Sequence, residues 1–218
     1  MEDCRVLEAC REGKYTSVLV QTHDKKYVEY RTEHFVNALG SGAGKLCDSM
    51  GIDAGLYPVR HQAFITRRLP MLGKHGTNLD MLIDRQDYKG FSAVYGQQIA
   101  YTGQIIGCAS PKLDAMRIDK NLKVNTKAFL EIVSEMFSEW IPDLAGVGIQ
   151  AVWAGYYTEP RYIVDPELGL FVGMRGHGFM LSQYIARMYV DKLLGRPVPE
   201  YFEKLKLNGP GLSEKAFK

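Results

Sequence analysis

The chain has 218 residues, 46% of them apolar and 24% charged, with a formal net charge of +2. That length makes one large domain or two small ones with a substantial core, and the near-balanced charge without a long basic run argues against nucleic acid as a main partner. No apolar stretch reaches the ~18 residues of a membrane span and no signal peptide opens the sequence, so the expectation is a cytoplasmic protein without a membrane span.

Arg5 to Ala9 and Ser17 to Gln21 are short β-rich runs joined by the polar turn Arg11-Glu12-Gly13-Lys14. The cluster Asp24-Lys25-Lys26 reads as a solvated turn, and Lys26 to Tyr30 as a third strand. His34 to Gly40 is an apolar strand ending in small residues, and Gly44 to Met50 the first turns of a helix that Gly51 stops. From Leu56 to about Val152 the pattern changes. Pro58 to Leu69 alternates as a long strand, and Leu79 to Arg85, Phe91 to Gln97 and Tyr101 to Cys108 are further strands split by glycines. Asn125 to Trp140 is a helix with Thr126 as its N-cap. Phe129, Ile132, Val133, Met136, Phe137 and Trp140 recur at helical spacing and read as a core stripe; Pro142 ends the helix. Ile149 to Tyr157 is a returning strand.

The apolar run Gly169-Leu170-Phe171-Val172 leads into Gly173-Met174-Arg175-Gly176-His177-Gly178-Phe179, and a helix begins near Met180. Strand, glycine-rich turn and helix place backbone N–H groups against an electron-rich ligand, because glycine lets the main chain approach closely and a helix start carries free donors and partial positive charge. An ordinary glycine-rich β-to-α connection is the alternative. The closing helix, about Leu181 to Leu194, carries Ile185, Met188, Tyr189 and Leu193 on one side; Gly195, Pro197 and Pro199 stop it, and the polar tail from Leu205 to Lys218 lies on the surface. The four cysteines, Cys4, Cys10, Cys47 and Cys108, lack metal or redox spacing and read as buried thiols in a reducing compartment, with no metal site.

The Gly-His-Gly-Phe turn at 176–179 resembles the flavin-binding turn of the D-amino-acid oxidase, glycine oxidase and sarcosine oxidase superfamily. Val36, Asn37, Ala38 and Gly40 match that superfamily's Val-Asn-Ala-x-Gly strand end, and Pro58-Val59-Arg60-His61-Gln62 resembles the Pro-x-Arg-x-Gln opening of its substrate domain. The resemblance implies an α/β and α+β protein: an incomplete FAD-binding, Rossmann-like domain over 1–55 and 153–218, with an inserted antiparallel-sheet substrate domain over 56–152. It implies FAD held by Val6, Asn37, Ala38, Gly40, Gly173, Gly176, His177, Gly178, Phe179 and Met180. Tyr156, Tyr157 and Arg60 are its candidate substrate contacts. The family's covalent flavin cysteine has no counterpart, so the FAD is expected to be non-covalent. The implied reaction is oxidation of a small-molecule amine or amino acid by hydride transfer to flavin N5, with no catalytic residue assigned.

The chain departs from the family at Arg175, at Met180, at Gln183, where a proline is common, and in the pyrophosphate-binding turn. Arg175 replaces a small residue and faces a phosphate, an acidic group or solvent. Met180 stands where a substrate-binding basic residue often follows the turn. His177 either serves in acid–base chemistry or packs against the flavin edge or a neighbouring strand. The Gly-x-Gly-x-x-Gly turn that holds the pyrophosphate has no match, since the run Gly40-Ser41-Gly42-Ala43-Gly44 has the wrong spacing and Asp53 follows too soon. The resemblance corresponds to the C-terminal part of a full-length oxidase. A second chain carrying the missing segment, or self-association of a truncated chain, is therefore expected to complete the fold. A non-catalytic interaction subunit and an oxidoreductase acting on a hydroxy acid stay open.

Overall fold

Alternating apolar residues in the first 32 positions favour paired strands, and a regular apolar stripe after residue 125 favours a helix; both form. The computed structural model describes residues 2–73, 78–85, 91–111 and 126–211. In chain order its elements are β1 (Arg5–Glu12), β2 (Tyr15–Gln21), β3 (Tyr27–Thr32), α1 (Ala43–Ser49), β4 (Tyr57–Thr66), β5 (Leu82–Asp84), β6 (Phe91–Gln98), β7 (Ile105–Pro111), α2 (Thr126–Trp140), β8 (Ile149–Glu159), β9 (Ile163–Asp165), β10 (Leu170–Val172) and α3 (Gly178–Leu193). Short 3₁₀ turns cover Gly40–Gly42, Pro142–Leu144, Arg175–His177 and Glu200–Leu205. The chain forms two compact units, Met1–Pro58 with Tyr157–Lys218, and Val59–Tyr156.

In the first unit, β1, β2 and β3 form an antiparallel sheet in that order. β1 and β2 run closer together than the polar residues suggest, because Gly13 at φ 63° lets Gly13-Lys14 alone close the hairpin. Ala9, Val18 and Val20 pack with Leu46 of α1. β9 and β10 pair antiparallel. Ile163, Leu170 and Val172 bury against Ala43 and Cys47 of α1. α3 seats Ile185, Met188 and Tyr189 against Tyr162, Val164, Phe202 and Leu205. Each fully buried Val, Leu, Ile, Met or Phe among them contributes about 1.5–3 kcal/mol.

In the second unit, five strands lie in the order β5-β6-β7-β4-β8. α2 covers the sheet with the predicted stripe: Phe129, Ile132, Val133, Met136 and Phe137 bury against Phe64, Val94 and Ile105. The Phe64 and Phe137 rings meet edge to face at 5.7 Å. Trp140, at the stripe's end, is only partly buried, and its Nε1–H donates to Asp84 Oδ2 at 2.9 Å.

Several expectations are corrected. Residues 34–40 do not form a strand. Only Asn37 pairs, in one parallel bridge with Leu170, because its side chain then folds the chain over: the amide nitrogen donates to Ala43 C=O (3.0 Å) and the amide oxygen accepts from Leu39 N–H (3.3 Å). β7 begins at Ile105 rather than Tyr101, since the N–H groups of Thr102 and Gly103 both donate to Ile99 C=O and close a turn with Gly103 at φ 69°. α2 begins at Thr126 itself; the residue before it lies outside the described residues. α3 starts at Gly178, ahead of the predicted start, because the 3₁₀ turn runs straight into it. Leu193 is exposed, whereas Leu205 is buried with Phe202 by the turn at 200–205. Cys47 and Cys108 are buried, but Cys4 is half-buried and Cys10 exposed; all four are free thiols. No described helix is long and apolar enough to cross a membrane, and the described residues hold no cluster of metal-ligand type.

Candidate functional site

Two segments singled out in the sequence meet in the first unit. Asn37 N–H donates to Gly169 C=O at 2.7 Å and Phe171 N–H donates to Asn37 C=O at 3.0 Å. The bridge is parallel. The chain therefore leaves both segments in the same direction, and residues 38–42 and 173–177 come off one edge. In open α/β sheets ligands bind outside the carboxyl ends of neighbouring parallel strands. Ala38 and Gly40 are exposed there. Gly40 has φ 55°, and the direction a Cβ would take from it is open to 4 Å. Asn37 itself is buried and its amide serves the chain internally.

The second segment is held residue by residue. Gly173, at φ 71°, brings the backbone so close to the Arg161 carbonyl that a Cβ would lie 2.9 Å from the carbonyl carbon and closer still to the oxygen. Arg175 has φ 48°, unusual for a residue with a side chain. Its Nε–H donates to Glu159 Oε2 at 2.6 Å, and the two side chains are only 25% and 16% exposed. Gly176 lies under the Tyr157 ring, where a Cβ would meet Cε2 at 2.7 Å. His177 Nδ1 shares a 2.6 Å hydrogen bond with the hydroxyl of buried Tyr162. Of the alternatives for Arg175, the acidic group is the one found, and His177 packs toward a neighbouring tyrosine.

α3 follows directly. His177 N–H donates to Met174 C=O at 3.1 Å, and no side chain caps the start of the helix. Phe179 is 99% and Met180 67% exposed. The donors of the first helical turn, which no intrahelical carbonyl can satisfy, thus begin at an open surface. An uncapped helix start is a place where an anionic group can bind. Two of the glycines act otherwise than the sequence suggested: the missing side chains of Gly173 and Gly176 make room for this chain's own Arg161 and Tyr157. Val6 sits on β1, an outer strand of its sheet, next to a bulge between Val6 and Glu8.

Of the substrate candidates, Tyr157 belongs to the first unit, while Arg60 and Tyr156 belong to the second. Tyr156 projects from the face of β8 opposite Tyr157 by strand alternation. Arg60 is partly buried on β4, beside buried Gln62 and His61, whose imidazole burial pushes down to about 4. Sequence reasoning missed Glu159 and Tyr162. The i, i+2 spacing of Tyr157 and Glu159 on one strand was a usable signal for the first; nothing in the sequence marked the second.

A family model described as FAD dependent oxidoreductase (DAO) matches residues 1–192. Among solved structures, the chain is similar to glycine oxidase from Geobacillus kaustophilus, with a TM-score of 0.66 and 18% identity over 94% of this chain and 52% of that one. It is similar to iminodiacetate oxidase (IdaA) from Chelativorans sp. BNC1, with a TM-score of 0.65 and 14% identity over 96% and 53% of the two chains. A modified fructosyl peptide oxidase from Aspergillus nidulans gives a TM-score of 0.65 and 16% identity over 97% and 53%. The chain spans about half the length of these structures. A search of curated proteins finds no match.

Proposed function

Because this chain belongs to the FAD-dependent oxidoreductase family, we propose that it forms the flavin-contacting part of an enzyme that oxidises an amine or amino acid and is completed by a second polypeptide. One observation carries this: the parallel bridge between Asn37 and Leu170, from which the open loop at Ala38–Gly40 and the turn leading to α3 set out in the same direction. The solved structures named above, two of them oxidases of small amino compounds, favour an amine over a hydroxy acid as substrate.

When bound, non-covalent FAD supplies the two-electron acceptor, N5, for the hydride on the substrate carbon next to nitrogen. The chain's own groups bind and orient. The N–H groups of Gly178, Phe179 and Met180 offer donors and the positive end of a 16-residue helix, which favour negative charge on the pyrimidine edge. Ala38 and Gly40 leave room for ribose and phosphate, and the Val6 backbone serves adenine. Tyr157 is the candidate substrate contact of the first unit. The second unit is the substrate-type sheet, with Arg60 and Tyr156 as its candidates. Four free thiols suit the reducing cytoplasm.

The second polypeptide would bring a Gly-x-Gly-x-x-Gly segment. α3 supports its existence. Besides its buried side, the helix exposes Phe179, Met180, Tyr184, Val190 and Leu193. Large apolar side chains exposed together on a helix, here interspersed with Gln183 and Arg187, are ordinarily covered by a partner. Co-expression with a chain carrying the glycine-rich segment, followed by an absorbance scan, tests the proposal. A yellow complex whose flavin is bleached by one of a panel of amines is the expected result; a colourless complex refutes it. Such a colourless complex would favour a non-catalytic subunit, a reading supported by the filling of Gly173 and Gly176 by the chain's own atoms.

A further inference from the structure

On the reading that the first amides of α3 hold the flavin, we propose that Arg175 is a positioning residue: its ion pair with Glu159 latches the 173–177 turn and thereby aims those amides. The start of α3 lacks the usual restraints. No side chain caps it, and its first large residues, Phe179 and Met180, are exposed, so burial does not fix them. The preceding turn is closed by a backbone hydrogen bond from His177 N–H to Met174 C=O. Met174 and Leu181 pack against the α3 core on either side of the helix start, and side chains of the adjoining segment supply further restraint. Tyr157 and Glu159 project from the same face of β8 and grip consecutive residues, Tyr157 covering Gly176 and Glu159 binding Arg175. Tyr162 then holds His177.

The backbone at residue 175 points to the same role. Its φ of 48° is one that glycine adopts freely and arginine does not, and the chain uses glycine for such a φ two residues earlier. A strained arginine persists only where its surroundings over-determine it. Here the side chain that causes the strain also makes a largely buried ion pair, and breaking one partner of such a pair leaves an uncompensated charge.

The test uses the full chain and three variants. R175G removes the guanidinium and relieves the φ strain, E159Q keeps the shape of the carboxylate without its charge, and R175K keeps a charge on a different donor. Hydrogen exchange is read at His177, Leu181 and Ser182, whose amides are hydrogen-bonded only when the turn and the first helical turn are formed. Exchange there should speed up about tenfold or more in R175G and E159Q, and less in R175K, while amides of the β1–β2 hairpin stay unchanged. A uniform acceleration throughout the chain, or none at 177–182, overturns the latch. FAD affinity, followed by fluorescence quenching with the second polypeptide present, should weaken about tenfold in R175G and E159Q. If the variants bind FAD as tightly as the parent, the latch does not serve the cofactor. If the parent binds no FAD, the functional reading fails, and the exchange data still decide the latch.

Discussion

Gly173→Ala compared with Gly40→Ala isolates what the turn leading into α3 requires. Both glycines have positive φ, 71° and 55°, so an alanine at either costs about 1–2 kcal/mol for the left-handed backbone. Space distinguishes them. At Gly40 nothing lies within 4 Å of the new Cβ, so the backbone penalty is the whole effect. At Gly173 the Cβ would sit 2.9 Å from the Arg161 carbonyl carbon and nearer its oxygen, with Leu56 Cδ2 at 3.4 Å behind. Arg161 cannot easily yield, because its guanidinium donates to Gly209 C=O at 2.8 Å and also to Leu207 C=O. Forcing a carbon into such a contact adds about 1–3 kcal/mol of overpacking strain, for a total of about 2–5 kcal/mol. Urea unfolding of the two variants measures both, with the m-value checking that the denatured state is unchanged. Equal losses in the two would refute the crowding argument at Gly173.

Four other outcomes rest on the same structure. Burial holds His61 neutral down to about pH 4, below the 6.5 of a free imidazole, so the unfolded chain takes up the proton first. Stability should therefore fall as pH drops from 6.5 to about 4, by at most about 3 kcal/mol, and a His61→Gln variant should show a flatter profile in denaturant titrations at pH 7 and 4.5. Asn37→Ala removes the donor to Ala43 C=O and the acceptor for Leu39 N–H and should cost about 1–3 kcal/mol by thermal or urea unfolding. With a thiol-specific dye, exposed Cys10 should react first, while Cys47 and Cys108, whose thiols burial pushes up, should react only after unfolding. Trp140→Phe removes the hydrogen bond to Asp84 while keeping most of the ring packing, and should cost about 0.5–1.5 kcal/mol.

What was legible in the sequence follows physical periodicity. The α2 stripe was readable because an amphipathic helix repeats its apolar residues every three or four positions, and Phe129, Ile132, Val133, Met136 and Phe137 land on the core. The first three strands were readable for the matching reason, with ends displaced by a few residues where Gly13 tightened a turn. Asn37 shows the limit. An apolar run looks like a strand whether it makes six pairings or one, and what stops this run is a side-chain amide that bonds six residues ahead. Leu205 shows it again: a polar stretch hides one leucine that a 3₁₀ turn rotates into the core.

The glycines show why the candidate site was only half legible. A glycine in a sequence says that a side chain is unwelcome, but not what occupies the space. At Gly40 the space is open; at Gly173 and Gly176 it holds Arg161 and Tyr157 of the same chain. Those two glycines therefore build the support beneath the turn, and on the proposed reading the cofactor contacts fall to main-chain groups from Gly178 onward. That division of labour explains why Arg175 can replace a small residue without blocking the edge: its side chain leaves along the supporting side, toward Glu159, while the start of α3 stays uncapped. The same division makes Tyr157, proposed above as a substrate contact, a strut beneath the turn. Replacing it with phenylalanine keeps the ring over Gly176, so an effect of Y157F on substrate affinity, with unfolding unchanged, would assign the hydroxyl to recognition; no effect on either would leave the ring with support alone.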